Sequence, residues 1–269
     1  MAKATLNLPL NLSFGDYSIY PVVGLDKLVV RAKHGPSKKE IEEGAQYAPL
    51  RRSQSEFNGI GKAASLVINS MYAVKHLKDR NFSGTISKVI KIIQGRDDLS
   101  PKGKRSILFS KYGDTLKGFN CNRSNPFDTI VQTTLEYTLS RDECKSAITI
   151  PALIPGINFF NPWNLPVCRF ITGLGIIPDM VFSENGYVQL NPLMKLYVEQ
   201  NRTGWISSKA SYPGTVLEVQ LTNGSALDAS GSLVLSVGIE FGTVVTDGLI
   251  QPVKYMGSGK VLALTNRYL

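Results

Sequence analysis

The chain has 269 residues, 43% of them hydrophobic and 19% charged, with a mean hydropathy of -0.03. That is the composition of a globular protein with a sizeable core, and no run approaches the roughly 18 apolar residues of a membrane-spanning helix. The net charge of +9 sits in one part: residues 1–120 hold 20 Lys/Arg against 10 Asp/Glu, and residues 121–269 hold 10 against 11. The field that a partner meets is therefore set by the N-terminal part.

The first twenty residues lack a continuous apolar stretch and a small-residue cleavage site, so the start reads as mature sequence and the expected location is cytoplasmic. Release by lysis, or export without such a peptide, stays open. Cys121, Cys144 and Cys168 form neither an even set nor a close pair, so buried free thiols are expected rather than a disulfide framework or a zinc site.

Leu6, Leu8, Leu10 and Leu12 alternate with polar residues, and Pro9 among them suggests an edge strand or an extended arm. Tyr17, Ile19, Pro21 and Val23, then Leu28 to Val30 beyond Gly24 and Asp26, read as a hairpin. Such an arm could add a strand to a neighbour's sheet or pair within its own. Ser37 is placed to cap a short helix through Lys38-Lys39-Glu40-Ile41.

Apolar residues at Phe57, Ile60, Ala64, Val67, Met71 and Val74 recur at steps of three and four. They predict a long helix over 50–78 with all six on its buried face. Gly59 and Gly61 lie inside it and call for a reason, such as close approach of another element. Ile86, Val89, Ile90 and Ile93 predict a second helix over 85–94, antiparallel to the first, ended by Gly95 and followed by a basic loop.

Past Ser106 the pattern turns to β. Residues 130–139 alternate in part, and 147–151 is a short apolar run. The stretch 151–179 is rich in proline and glycine and reads as a long loop, or as short strands between loops. Phe159, Phe160 and Trp163 cluster in it, either as a core anchor or as an interface element. Leu217, Val219 and Leu221 alternate, as do Leu233, Leu235, Val237, Ile239 and Phe241, with Asn223-Gly224 and Asp247-Gly248 as turns.

Catalytic constellations are sparse. The two histidines, His34 and His76, make no metal-binding pair, and no nucleophile-elbow motif accompanies them. Gly59 to Lys62 and Gly257 to Lys260 both miss the early glycine and the final Ser/Thr of a phosphate loop. No cofactor and no metal is expected. The positive signal is the basic surface of Arg51, Arg52, Lys62, Lys88, Lys91, Lys104 and Arg105, which could neutralise phosphate backbones or meet an acidic patch on another copy.

The run Val30-Arg31-Ala32-Lys33-His34-Gly35, followed by Leu50-Arg51-Arg52-Ser53-Gln54-Ser55-Glu56-Phe57-Asn58-Gly59-Ile60-Gly61-Lys62-Ala63-Ala64, resembles a large family of uncharacterised Bacteroidota proteins. Those carry Arg-x-Lys-Gly-Gly after an N-terminal hairpin, then an Arg-rich segment leading into Ser-Glu-Phe-Gly and Ala-Gly-Lys. His34 stands in place of a glycine and Asn58 intervenes before Gly59, so the match is partial. The resemblance implies no activity and no site residue.

The expectation is an α+β chain in three stretches: an N-terminal arm and β-hairpin over 1–35, a basic two-helix hairpin over 36–105, and an antiparallel sandwich or jelly-roll-like body over 106–269. The expected function is a non-enzymatic, self-assembling structural protein, a subunit of a filament, tube or shell. Its partners would be copies of itself, through Leu6, Leu8, Leu10, Phe159, Phe160 and Trp163. The alternative is nucleic-acid binding through the basic helices.

Overall fold

The computed structural model describes residues 12–22, 27–32, 35–222 and 227–265. The leucines Leu6, Leu8 and Leu10, the turn at Gly24 and Asp26, His34, and Asn223-Gly224 lie outside the described residues. The chain is α+β with a β-rich body, and it divides into two compact units, Met1–Arg51 and Arg52–Leu269. The helices after Arg51 and the strands of the body therefore belong to one unit.

The first unit holds a three-stranded antiparallel sheet of β1 (Leu12–Phe14), β2 (Tyr17–Pro21) and β3 (Leu28–Ala32). Gly15-Asp16 joins β1 to β2 in a two-residue turn, with Phe14 opposite Tyr17 and Gly15 at φ 53°, as a tight hairpin requires. Helix α1 (Lys38–Glu43) starts at a reciprocal cap. The Ser37 hydroxyl accepts from the Glu40 N–H at 3.2 Å, and the Glu40 carboxylate accepts from the Ser37 N–H at 2.6 Å.

Helix α2 (Ala48–Ser70) crosses into the second unit. There it buries Glu56, Gly59, Ile60, Ala63, Ala64, Val67 and Ser70. The predicted face is met at Ile60, Ala64, Val67, Met71 and Val74, but Phe57 is 69% exposed and Glu56 is buried instead. The helix also stops at Ser70 rather than continuing to 78. Tyr72 and Val74 donate three residues back, and a 3-10 turn follows at Lys75–Leu77. Helix α3 (Phe82–Gly95) buries Phe82, Ile86, Ile90 and Ile93 in the same core as α2. Short helices α4 (Phe109–Tyr112) and α5 (Phe127–Ile130) precede the strands.

The body is built on a five-stranded antiparallel sheet. Its order is β10 (Ile206–Ser207), β6 (Val167–Pro178), β12 (Gly231–Val244), β13 (Ile250–Leu264), with β9 (Val198–Arg202) also pairing β6. A second sheet has the order β11 (Thr215–Gln220), β5 (Lys145–Ile150), β4 (Glu136–Ser140), and β7 (Met180–Ser183) pairs β8 (Gly186–Gln189). Ile148, Ile150 and Leu217 of the second sheet share a core with Phe170, Leu235, Val237, Ile239 and Phe241 of the first.

Strand β6, twelve residues long, lies inside the stretch whose proline and glycine content predicts a long loop or short strands between loops. Gly173 and Gly175 are there for packing. With Ser236, Gly238, Gly257 and Gly259 they line the other face of the sheet, where residues 70–77 lie against it. A Cβ on Gly175 would overlap the Ser70 carbonyl, and one on Gly238 would meet Leu77 Cδ1 at 2.7 Å. The small residues let backbone approach the sheet closely. The sheet is thus covered on both sides, and every residue from Gly231 to Gly242 of β12 is buried.

Candidate functional site

In the first unit, strand register decides what faces where. Leu12 pairs Ile19, which pairs Val30; Phe14 pairs Tyr17, which pairs Ala32; Pro21 pairs Leu28. Cross-strand partners share a face, so one face carries Leu12, Phe14, Tyr17, Ile19, Pro21, Leu28, Val30 and Ala32, with no charge among them. The other face carries Ser13, Ser18, Tyr20, Val29 and Arg31. An apolar face of this kind normally forms a core, but no described residue from Leu12 to Arg51 is buried. Phe14 is 82% exposed and Val30 59%.

Sequence reasoning reads β2 and β3 of this sheet as a hairpin, leaves Leu12 of β1 in an arm, and misses the exposed apolar face. Alternation tells which residues share a face, not whether a second layer covers it. The Gly15-Asp16 turn was available as a signal for the β1–β2 pairing.

Of the aromatic cluster, the core reading is the one that holds for Phe159 and Trp163. Phe159 is buried, its ring stacked on Phe241 at 6.3 Å, and Trp163 meets the same ring edge-on at 5.2 Å. These two rings anchor the loop from within, Trp163 half-buried; Phe160 is 37% exposed.

The basic residues separate into two sets. Arg51 donates from Nη1 to the carbonyls of Ile41 and Gly44, each at 2.7 Å, holding the end of α1. Lys62 Nζ donates to the Tyr187 carbonyl at 2.9 Å. Arg105 makes a two-pronged pair with Glu56, 2.8 Å at each oxygen. The Arg105 hydrogen bonds hold the Glu56 carboxyl below its ordinary range against the opposing effect of burial, with the Gly103 N–H adding to them. These three are therefore structural ties. Arg52, Lys88, Lys91 and Lys104 remain exposed.

Gly59 has its reason beside this pair, since a Cβ there would sit 2.7 Å from the Tyr187 ring. The Tyr187 hydroxyl donates to the Arg105 carbonyl and accepts from Gln94, and burial pushes its pKa up to about 12. Gly61 meets nothing within 4 Å, and no packing accounts for it.

The three cysteines are free and buried, and burial raises each thiol, Cys168 to about 12. Among the described residues no cluster of His, Cys, Asp or Glu is placed to hold a metal. No helix among them is long and apolar enough to cross a membrane. No family model, no curated protein and no solved structure matches the chain.

Proposed function

We propose that the protein is a self-assembling structural subunit whose N-terminal sheet joins copies of the same chain. The observation that carries this reading is the apolar face from Leu12 to Val30, none of whose described residues is buried. Five large side chains there are each at least half exposed: Leu12, Phe14, Tyr17, Leu28 and Val30. A contiguous apolar patch on a sheet marks an interaction surface.

The occupant that fits best is the same face on a second copy. The net charge of +9 lies in residues 1–120, and among the described residues this face carries no charge. Two identical uncharged faces complement one another about a two-fold axis. The edges β1 and β3 of the small sheet offer a further route of strand addition. Filaments or tubes would need both kinds of contact, and closed dimers only the first.

Nucleic-acid binding is the weaker reading. Arg51, Lys62 and Arg105 are engaged within the chain. Arg52 packs on Gly103 between Lys102 and Lys104, and that local basic cluster is what supports it.

Light scattering with negative-stain electron microscopy, at low and high salt, separates the two. An apolar interface persists or strengthens as salt rises. Phosphate-backbone binding weakens steeply with salt. A uniform particle of 29.5 kDa at both salts would overturn the assembly reading.

A further inference from the structure

A cavity of about 980 Å³ opens in the second unit, between residues 76–83, 122–125 and 252–255, with Glu240 buried on its floor. Three features of the fold build it. Residues 70–77 press onto the glycine-lined sheet and deliver His76 to Glu240, with Nε2 at 2.9 Å from Oε2. Arg169, the β6 neighbour of Glu240, bonds its other oxygen through Nε and lies 4.3 Å over the Trp205 ring. Burial pushes the Glu240 carboxyl up, but the hydrogen bonds from His76 and Arg169 outweigh it and hold it below its ordinary range.

The third feature is an overhang. Glu240 pairs Gly257 and Gly242 pairs Pro252, so residues 253–256 of β13 stand opposite Phe241 alone. At its tip Tyr255 has φ 65° and is 74% exposed. Bulges and non-glycine residues of positive φ gather where a strand re-aims side chains at a ligand.

The charges around the opening do not cancel. Lys78, Arg80 and Lys254 line it and make no ion pair among the described residues. The carboxylates there are both engaged: Glu240 as above, and Asp79 by the N–H groups of Asn81 and Arg123 at 2.9 and 3.0 Å. Ser83 and Ser124 line the same walls. Helix α3 also begins here, its Asn81 making no side-chain cap, so the positive end of its dipole adds to the cations.

We propose that this cleft binds a small phosphate-bearing ligand of mononucleotide size. Unpaired cations on two separate segments suit a dianion better than a lone carboxylate. The volume lies in the range of small-molecule sites, about 300–1,000 Å³. The Tyr255 ring on the rim offers a planar group a face to stack on. His76, fixed through Nε2, keeps Nδ1 as its other polar atom for the ligand.

The test uses the full chain and two probes, AMP and inorganic pyrophosphate, titrated calorimetrically at low salt. AMP binds with one site per chain, and Arg80→Ala with Lys254→Ala weakens both probes at least about tenfold, roughly one order in the binding constant. Tyr255→Gly, which suits the positive φ, weakens AMP and spares pyrophosphate. Lys88→Ala with Lys91→Ala, outside the cleft, changes neither. The ring signal of His76 in a proton–carbon NMR spectrum, assigned by its loss in His76→Gln, moves on adding AMP. No heat and no His76 shift at millimolar AMP would overturn the proposal. So would equal binding by the Arg80/Lys254 variant, or binding of a single-stranded oligonucleotide without binding of AMP.

Discussion

The β1–β3 sheet and the β6–β12–β13 sheet obey the same alternation rule and meet opposite fates. Both place large apolar residues on a common face. In β12 that face meets the second sheet, and the opposite face takes residues 70–77, so Gly231 to Gly242 is buried throughout. In β1–β3 each described residue of the apolar face is exposed or half-buried, with Phe14 82% exposed. The difference lies in the covering layers, not in the strands. A strand pattern describes a demand for burial, and what meets that demand is supplied elsewhere in the chain or by another chain.

The largest effect is expected where the body is most enclosed. Glu240→Ala strips a buried carboxylate from Arg169 and should cost about 3 kcal/mol in a denaturant titration, because an uncompensated charge remains. Its pH signature has a definite sign. The folded carboxyl is lowered, so its contribution is complete above the ordinary value of 4.5 and is lost as pH falls through the lowered value. In Glu240→Gln, stability should fall less on acidification than in the parent; an identical fall would show that the His76–Glu240–Arg169 group does not hold the sheet.

Next in size is the seam between residues 70–77 and the glycine-lined face. Gly175→Ala forces a methyl onto the Ser70 carbonyl and should cost about 1–3 kcal/mol by overpacking. An unchanged melting temperature would mean that this layer does not press on the sheet as described. The smallest effect has the opposite sign. Gly61→Ala fills open space on an exposed helix face and should stabilise by about 0.5–1 kcal/mol through helix propensity. A loss there would point to a partner lying against α2.

Much of this was legible in the sequence. The 3-4 spacing from Ile60 to Val74 and the alternation from Leu233 to Phe241 each identified a buried face, and Ser37 identified a helix start. Three things were hidden for physical reasons. Strand β6 was masked because Gly173 and Gly175, which punctuate a loop in most sequences, here admit close backbone packing. Glu56 and Glu240 are buried only because Arg105, His76 and Arg169 reach them, at separations of 49, 164 and 71 residues. The exposed apolar face of the first unit was hidden because alternation is silent about coverage.

The proposed role of the Leu12–Val30 face is to join copies of the chain. Sedimentation velocity of the parent beside Phe14→Lys with Val30→Lys tests it most directly. Both positions are exposed, so the body should melt alike in the two proteins. The parent should sediment as a species larger than one chain, and the variant at 29.5 kDa with an unchanged melting curve. A parent that sediments as a single chain, or a variant that stays assembled, would contradict it.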